Sequence, residues 1–162
     1  MTEPFDLDIS VEEVDVEQIL GVRTRVLRPG NEAGELARWP LDSEPTTHHF
    51  AVIAAGDNVV GCVTYQLADY PYEDSPWNAV QLRGMAVDPS MQNRGVGARL
   101  IEASVARLPL LYPDARRIWC NARERAQSFY ERAGFVAEGD YFDKPGIGRH
   151  VVMWRKMPVL IA

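Results

Sequence analysis

Long apolar runs are missing from this sequence, and cysteine is nearly so. No stretch approaches the roughly 20 apolar residues that a membrane-spanning helix needs, so no membrane partner is expected. Cys62 and Cys120 are the only cysteines. They stand far apart, each in a run that reads as a buried strand, with neither metal spacing nor a disulfide framework. Two reduced thiols in a cytoplasmic protein fit that usage. A basic surplus is also missing. Against 17 Lys and Arg stand 23 Asp and Glu, a net charge of −6, which argues against a nucleic-acid partner. The opening stretch MTEPFDLDISVEEVDVEQ is acidic and lacks the apolar centre of a signal peptide. His48-His49 lacks the spacing of a metal pair, and no metal is expected.

What is present fits one mixed α/β domain over residues 1–162, a length that supports one hydrophobic core. FDLDISVEEV alternates apolar and acidic residues and reads as a strand. DVEQILGVRTRVLRPG places Val16, Ile19, Leu20 and Leu27 on one helical face, with Asp15 as N-cap and Pro29-Gly30 as the stop. Arg23 interrupts that face. NEAGELARWP is expected to form a short second helix ended by Pro40. HFAVIAAGDNVVGCVTYQLA reads as a hairpin turning at Gly56-Asp57-Asn58. WNAVQLRGMAV is a further strand, and Gly84 inside it marks a bulge or a close backbone approach. Val96, Leu100, Ile101, Val105 and Leu108 share a helix face, with Pro109 and Pro113 bracketing its exit. RIWCNA is a short buried strand, and ERAQSFYERAGF is a helix with Gly134 at its C-terminal stop. FVAEGDYF and HVVMWRKM are two last strands joined by DKPGIGR. The expected order is β-α-α-β-β-β-α-β-α-β-β.

The stretch VDPSMQNRGVGARLIEA carries the chemistry. A strand ends in Asp-Pro-Ser, and a loop with Gly95 and Gly97 leads into an amphipathic helix. Such a helix mouth exposes unpaired N–H groups and the positive end of the dipole, and it suits an anion such as a pyrophosphate. A Walker loop fails, because Gly97 is followed by Ala98-Arg99 rather than Lys-Ser/Thr. A dinucleotide fingerprint has Leu100 where its last glycine belongs, and hairpins rather than βαβ units precede the loop.

The pattern Q-x-x-G-x-G directly after MAVDP resembles the acyl-CoA pyrophosphate loop of the GNAT superfamily of N-acetyltransferases. CNARERAQSFYERAGFVAEGDYF resembles that family's second signature block, and the element order is similar from first strand to last. The resemblance implies a GNAT fold with a splayed central sheet. It also implies transfer of an acetyl group from acetyl-CoA to a primary amine, by direct attack in a ternary complex. A catalytically silent acyl-CoA-binding sensor or partner module with the same fold is the alternative.

Residue by residue, the resemblance assigns the backbone of Met85, Ala86 and Val87 to the pantetheine arm. It assigns Gln92, Asn93, Arg94, Gly95, Val96 and Gly97 to the pyrophosphate, with charge from Arg94 or Arg99. Asn121 and Ser128 complete the cofactor side. Tyr130 is the general acid that protonates the departing thiolate, and a backbone N–H of the fourth strand stabilises the oxyanion. Where many relatives carry a carboxylate base, this chain offers Gln81 and Arg83. Glu73, Asp74, His49 and His150 stand as base candidates, with a water chain as a further route. Asp69, Glu73, Asp74, Trp77, Tyr141 and Asp143 form an expected acidic, aromatic rim for a cationic small-molecule or peptide amine, with Glu73, Asp74 and His150 as substrate contacts. A homodimer paired through strands is a further partner that the resemblance allows.

Overall fold

The computed structural model describes residues 8–30, 34–73 and 79–160. Among these, β1 (Ser10–Val14) leads through Asp15 into α1 (Val16–Leu27). At that entry the Asp15 amide donates to Gln18 Oε1 at 3.2 Å, capping one orphan donor of the region. β2 (His48–Ala54) and β3 (Asn58–Leu67) form the hairpin, with Gly56 (φ +76°) and Asp57 (φ +58°) in the left-handed region that tight hairpins use. β4 (Ala79–Val87) is followed by α2 (Val96–Leu111), β5 (Arg117–Arg123), α3 (Gln127–Arg132), β6 (Val136–Lys144) and β7 (Gly148–Lys156). The strands form one mixed sheet in the order β1-β2-β3-β4-β5-β7-β6. Only β4 and β5 run parallel; every other neighbouring pair is antiparallel.

The α2 residues Leu100, Ile101, Val105 and Leu108 bury against Val63, Tyr65, Val80 and Leu82 on one face of the sheet. Ile19 and Val22 of α1 pack on the other face, over Ala51, Cys62 and Ala86. Both cysteines are buried free thiols, and burial pushes the Cys62 thiol up to about 12. Pro109 does not end α2; the helix continues to Leu111, with the proline in its last turn.

The second helix expected over residues 31–40 is not found in its described part, residues 34–40. There the backbone makes no helical ladder, and at Ala37 it bonds to α1. The Ala37 amide donates to Thr24 Oγ1 at 2.7 Å, and the Ala37 carbonyl accepts from Arg23 at 2.8 Å. Arg23, which interrupts the apolar face of α1, is fully buried and holds Asp42 through two bonds of 2.8 and 3.1 Å. Its second terminal nitrogen also donates to Thr64 Oγ1 at 2.7 Å, so one arginine ties α1, the following segment and β3 together.

Candidate active site

β4 and β5 pair only through Ala79–Gln81 and Arg117–Trp119. Beyond Gln81 and Trp119 the two strands part, and a cleft of about 600 Å³ opens between them. A bulge lies where β4 leaves β5. Between two cross-strand pairs, Cys62–Ala86 and Thr64–Arg83, β4 spends one residue more than β3. Gly84 sits inside the bulge at φ +59°, and a Cβ there would lie 2.6 Å from the ring of Trp39. Left-handed backbone and the packed indole both require glycine. Met85, Ala86 and Val87 therefore line the cleft with a strand edge that β5 does not cover.

At the open end, Asp88 builds the turn. Its carboxylate accepts from the Ser90 amide at 3.0 Å, from the Ser90 hydroxyl at 2.7 Å and from Arg25 of α1 at 2.6 Å. The Ser90 and Arg25 bonds hold that carboxyl below its usual range. Asn93 (φ +61°) and Gly95 (φ +78°) then turn the chain into α2. The first amides of α2, from Val96 onward, have no intrahelical acceptor. The two glycines differ in purpose. Gly95 faces open space, whereas a Cβ on Gly97 would come within 3.2 Å of the Phe129 ring and 3.3 Å of Met85 Cε. The Gln92 side chain turns back to donate to the Val87 carbonyl at 2.9 Å. Arg94 reaches Met91 Sδ at 3.7 Å, and Arg99 reaches the Ile9 carbonyl at 3.2 Å.

α3 presents Tyr130. The helix stops in a Schellman motif: the Phe135 amide donates to the Tyr130 carbonyl and the Gly134 amide to the Glu131 carbonyl, both at 3.0 Å, with Gly134 at φ +92°. The Phe135 ring closes the motif against Tyr130, centroids 5.5 Å apart. SFYERAGF is thus a helix stop that fixes one phenol in the cleft wall. Tyr130 is 7% exposed, and its hydroxyl has no hydrogen-bond partner among the described residues. Burial, with smaller contributions from Cys120 and Tyr65, pushes the phenol well above its ordinary value. Asn121 lines the same cleft from β5, and Ser128 lies exposed on α3.

His150 is buried on β7, lines the cleft and stacks on Phe142. Its Nδ1 lies 2.7 Å from the Gly148 carbonyl. A carbonyl only accepts, so Nδ1 carries the proton and Nε2 of the neutral ring keeps a free lone pair. His49 lies elsewhere. Its nitrogens contact Thr64 Oγ1 at 2.8 Å and the Asp42 carbonyl at 2.9 Å, and it does not line the cleft. Burial lowers its pKa, against the raising effect of the Asp42 carbonyl and carboxylate.

Among the described residues the cleft does not present the expected acidic rim. Asp74 and Trp77 lie outside the described residues. Glu73 faces Arg117 at 3.4 Å, where β5 begins, and lines a separate hollow with Tyr112 and Trp154. Tyr141 instead donates to Gln127 at 2.7 Å and lies under Arg149, 4.1 Å from its ring centroid. Arg83, Arg123 and Lys144 line the cleft together with Trp39. Sequence reading noted Arg83 only as standing where relatives carry a carboxylate base and missed Arg123 and Lys144, because nothing local connects the three. Trp39, in the segment expected to be helical, was missed for the same reason.

Residues 46–137 match the family model described as an acetyltransferase (GNAT) domain. The Bacillus subtilis (strain 168) protein "Uncharacterized N-acetyltransferase YitI" is 28% identical over 149 residues, covering 92% of this chain and 97% of that one. Escherichia coli ElaA superposes with a TM-score of 0.73 at 17% identity, over 91% of this chain and 99% of its own. An acyl-CoA N-acyltransferase from Pseudomonas aeruginosa gives 0.71 at 19% identity, over 91% and 99%. At such identities the two structures speak for the fold.

Proposed function

The chain belongs to the GNAT acetyltransferase family, and from that premise we propose that it acetylates a primary amine with acetyl-CoA in a ternary complex. The observation that carries this reading is the parting of β4 from β5. It leaves a strand edge free beside Tyr130 and ends at a glycine-led helix mouth. The uncovered edge at Met85–Val87 suits the amide groups of a pantetheine arm, which pair like an added strand. The mouth of α2, with Gln92, Asn93, Arg94, Gly95, Val96 and Gly97, suits a pyrophosphate. Open space above Gly95 leaves the backbone there approachable. Asn121 supplies a polar contact from the opposite wall, and Ser128 a further one from α3.

The amine nitrogen attacks the thioester carbonyl, and the tetrahedral oxyanion is stabilised by a β4 amide near the bulge. The C–S bond then breaks, and the Tyr130 hydroxyl gives its proton to the thiolate sulfur. His150 Nε2 takes one proton from the ammonium before attack, freeing the lone pair that adds to the carbonyl, and the nitrogen's second surplus proton passes to solvent as the intermediate collapses. Exchange with solvent restores both side chains. A phenol held above its ordinary pKa by burial stays protonated throughout the neutral range, as an acid must.

The test is acetyl-CoA-dependent thiol release across a panel of amines, with the acetylated amine identified by mass. His150→Gln should lower kcat/KM roughly 10²-fold near neutral pH. The deficit should shrink as pH rises toward the pKa of the amine, because a neutral amine needs no base. A deficit independent of pH would remove His150 from that role. Acetyl-CoA binding without release for any amine would favour a sensor.

A further inference from the structure

Resting on the acetyltransferase reading, we propose that the acceptor is an amine that also carries an anionic oxo group, a carboxylate or a phosphate, and that Arg83, Arg123 and Lys144 hold that group. The three come from β4, β5 and the end of β6 and line one cleft. All three are half-buried. Among the described residues none of the three has an ion-pair partner for its side chain, and no Asp or Glu lines the cleft. The nearby carboxylate of Asp42 is committed to Arg23 through two bonds. Arg83 rests over the Trp39 ring at 4.8 Å, whose centroid Arg23 approaches to 3.9 Å. Burial lowers the Lys144 pKa, and Arg83 and Arg123 lower it further. Half-buried cations gathered without a counter-ion repel one another, and an anion among them relieves that repulsion.

The phosphates of acetyl-CoA are poorly placed to be that anion. Side chains alternate across a strand. Val80 and Leu82 of β4, Cys120 and Ala122 of β5, and Val151 and Met153 of β7 belong to the core beneath α2. Arg83, Arg123 and His150 therefore project to the opposite face, the face that α1 covers. Lys144 shares the side of β6 that carries Phe142, which stacks on His150. The glycine loop opens α2 on the other face. The sheet thus has two regions that attract anions, uncharged backbone amides at the α2 mouth and cationic side chains on the α1 face. Arginine pairs favour carboxylate and phosphate oxygens through two parallel bonds. A polyamine would meet three positive charges.

The experiment uses four small primary amines that differ in the distal group: β-alanine, O-phosphoethanolamine, propylamine and diaminopropane. Binding to the CoA-saturated protein is measured by calorimetry, and turnover by thiol release. β-Alanine or O-phosphoethanolamine should bind at least tenfold tighter than propylamine, and diaminopropane weakest. Whichever anionic amine leads separates carboxylate from phosphate. Arg123→Gln and Lys144→Gln, both at partly exposed positions, should each reduce the preference severalfold through the acceptor KM. The acetyl-CoA KM should stay within about twofold. Added salt should narrow the preference. Equal or tighter binding of propylamine or diaminopropane overturns the inference and leaves the acetyltransferase reading in place. Tight binding of the anionic amines without turnover of any amine does the reverse.

Discussion

Tyr130 carries the heaviest chemical assignment on one side chain, and it separates cleanly from stability. Its ring packs between Phe129 and Phe135, while its hydroxyl bonds to nothing among the described residues. Tyr130→Phe should therefore change stability by less than about 1 kcal/mol, the usual worth of one hydrogen bond. It should lower kcat roughly 10²-fold or more with acetyl-CoA affinity retained. Turnover near that of the wild type would return Tyr130 to plain packing. His49 makes the opposite kind of prediction. Its folded-state pKa is depressed below 6.5 by burial, so the unfolded chain takes the proton first. The stabilisation is full above about 6.5, the unfolded imidazole value, and declines as pH falls toward the folded pKa. For Asp42, burial raises the carboxyl, but the bonds from Arg23 and the Trp39 amide outweigh it and leave it depressed. Its loss begins only below about 3.9, the ordinary Asp value. Urea midpoints should thus fall between pH 7.5 and 5.5 in the wild type and fall less in His49→Gln; equal slopes would contradict the assignment. Arg23 was visible in the sequence as a break in an apolar face. Its partners were not, because Asp42 and Thr64 lie 19 and 41 residues away.

At the level of elements, the loop and its helix give a prediction in which two glycines diverge. Gly95 is needed for its backbone angle and faces open space. Gly97 has ordinary backbone angles but is wedged against Phe129 and Met85. Asparagine tolerates the left-handed region. Gly95→Asn should therefore melt within a few degrees of the wild type. Gly97→Asn should lose about 1–3 kcal/mol, the range for overpacking a filled site. Equal losses would show that the two positions serve one purpose. The strands, the hairpin and the glycine stop of α3 were legible because each is written in consecutive residues. The bulge was legible from Gly84 alone. The expected second helix failed because NEAGELARWP has helical composition, yet the backbone at Ala37 finds its partners on α1. Tertiary hydrogen bonds overrode a weak local propensity.

The whole molecule is a sheet joined along its middle by three residue pairs and open beyond them. A pantetheine arm lying along β4 would fill that opening. The net charge of −6 points toward cationic partners, but the cleft is cationic. Arg83, Arg123 and Lys144 become neighbours only when β4, β5 and β6 come together, which no local pattern in the sequence announces. The proposal that acetyl-CoA lies between β4 and β5 with its pyrophosphate at the α2 mouth is tested most directly by thermal melting with and without the ligand. At about 100 times Kd a ligand specific for the native state adds roughly 2.7 kcal/mol. For a chain of this size that is a rise of roughly 5–10 °C. The wild type should show that rise, and Gly95→Glu, folded by circular dichroism, should lose it, because its carboxylate projects where the phosphates would sit. An undiminished rise in folded Gly95→Glu would contradict the proposal.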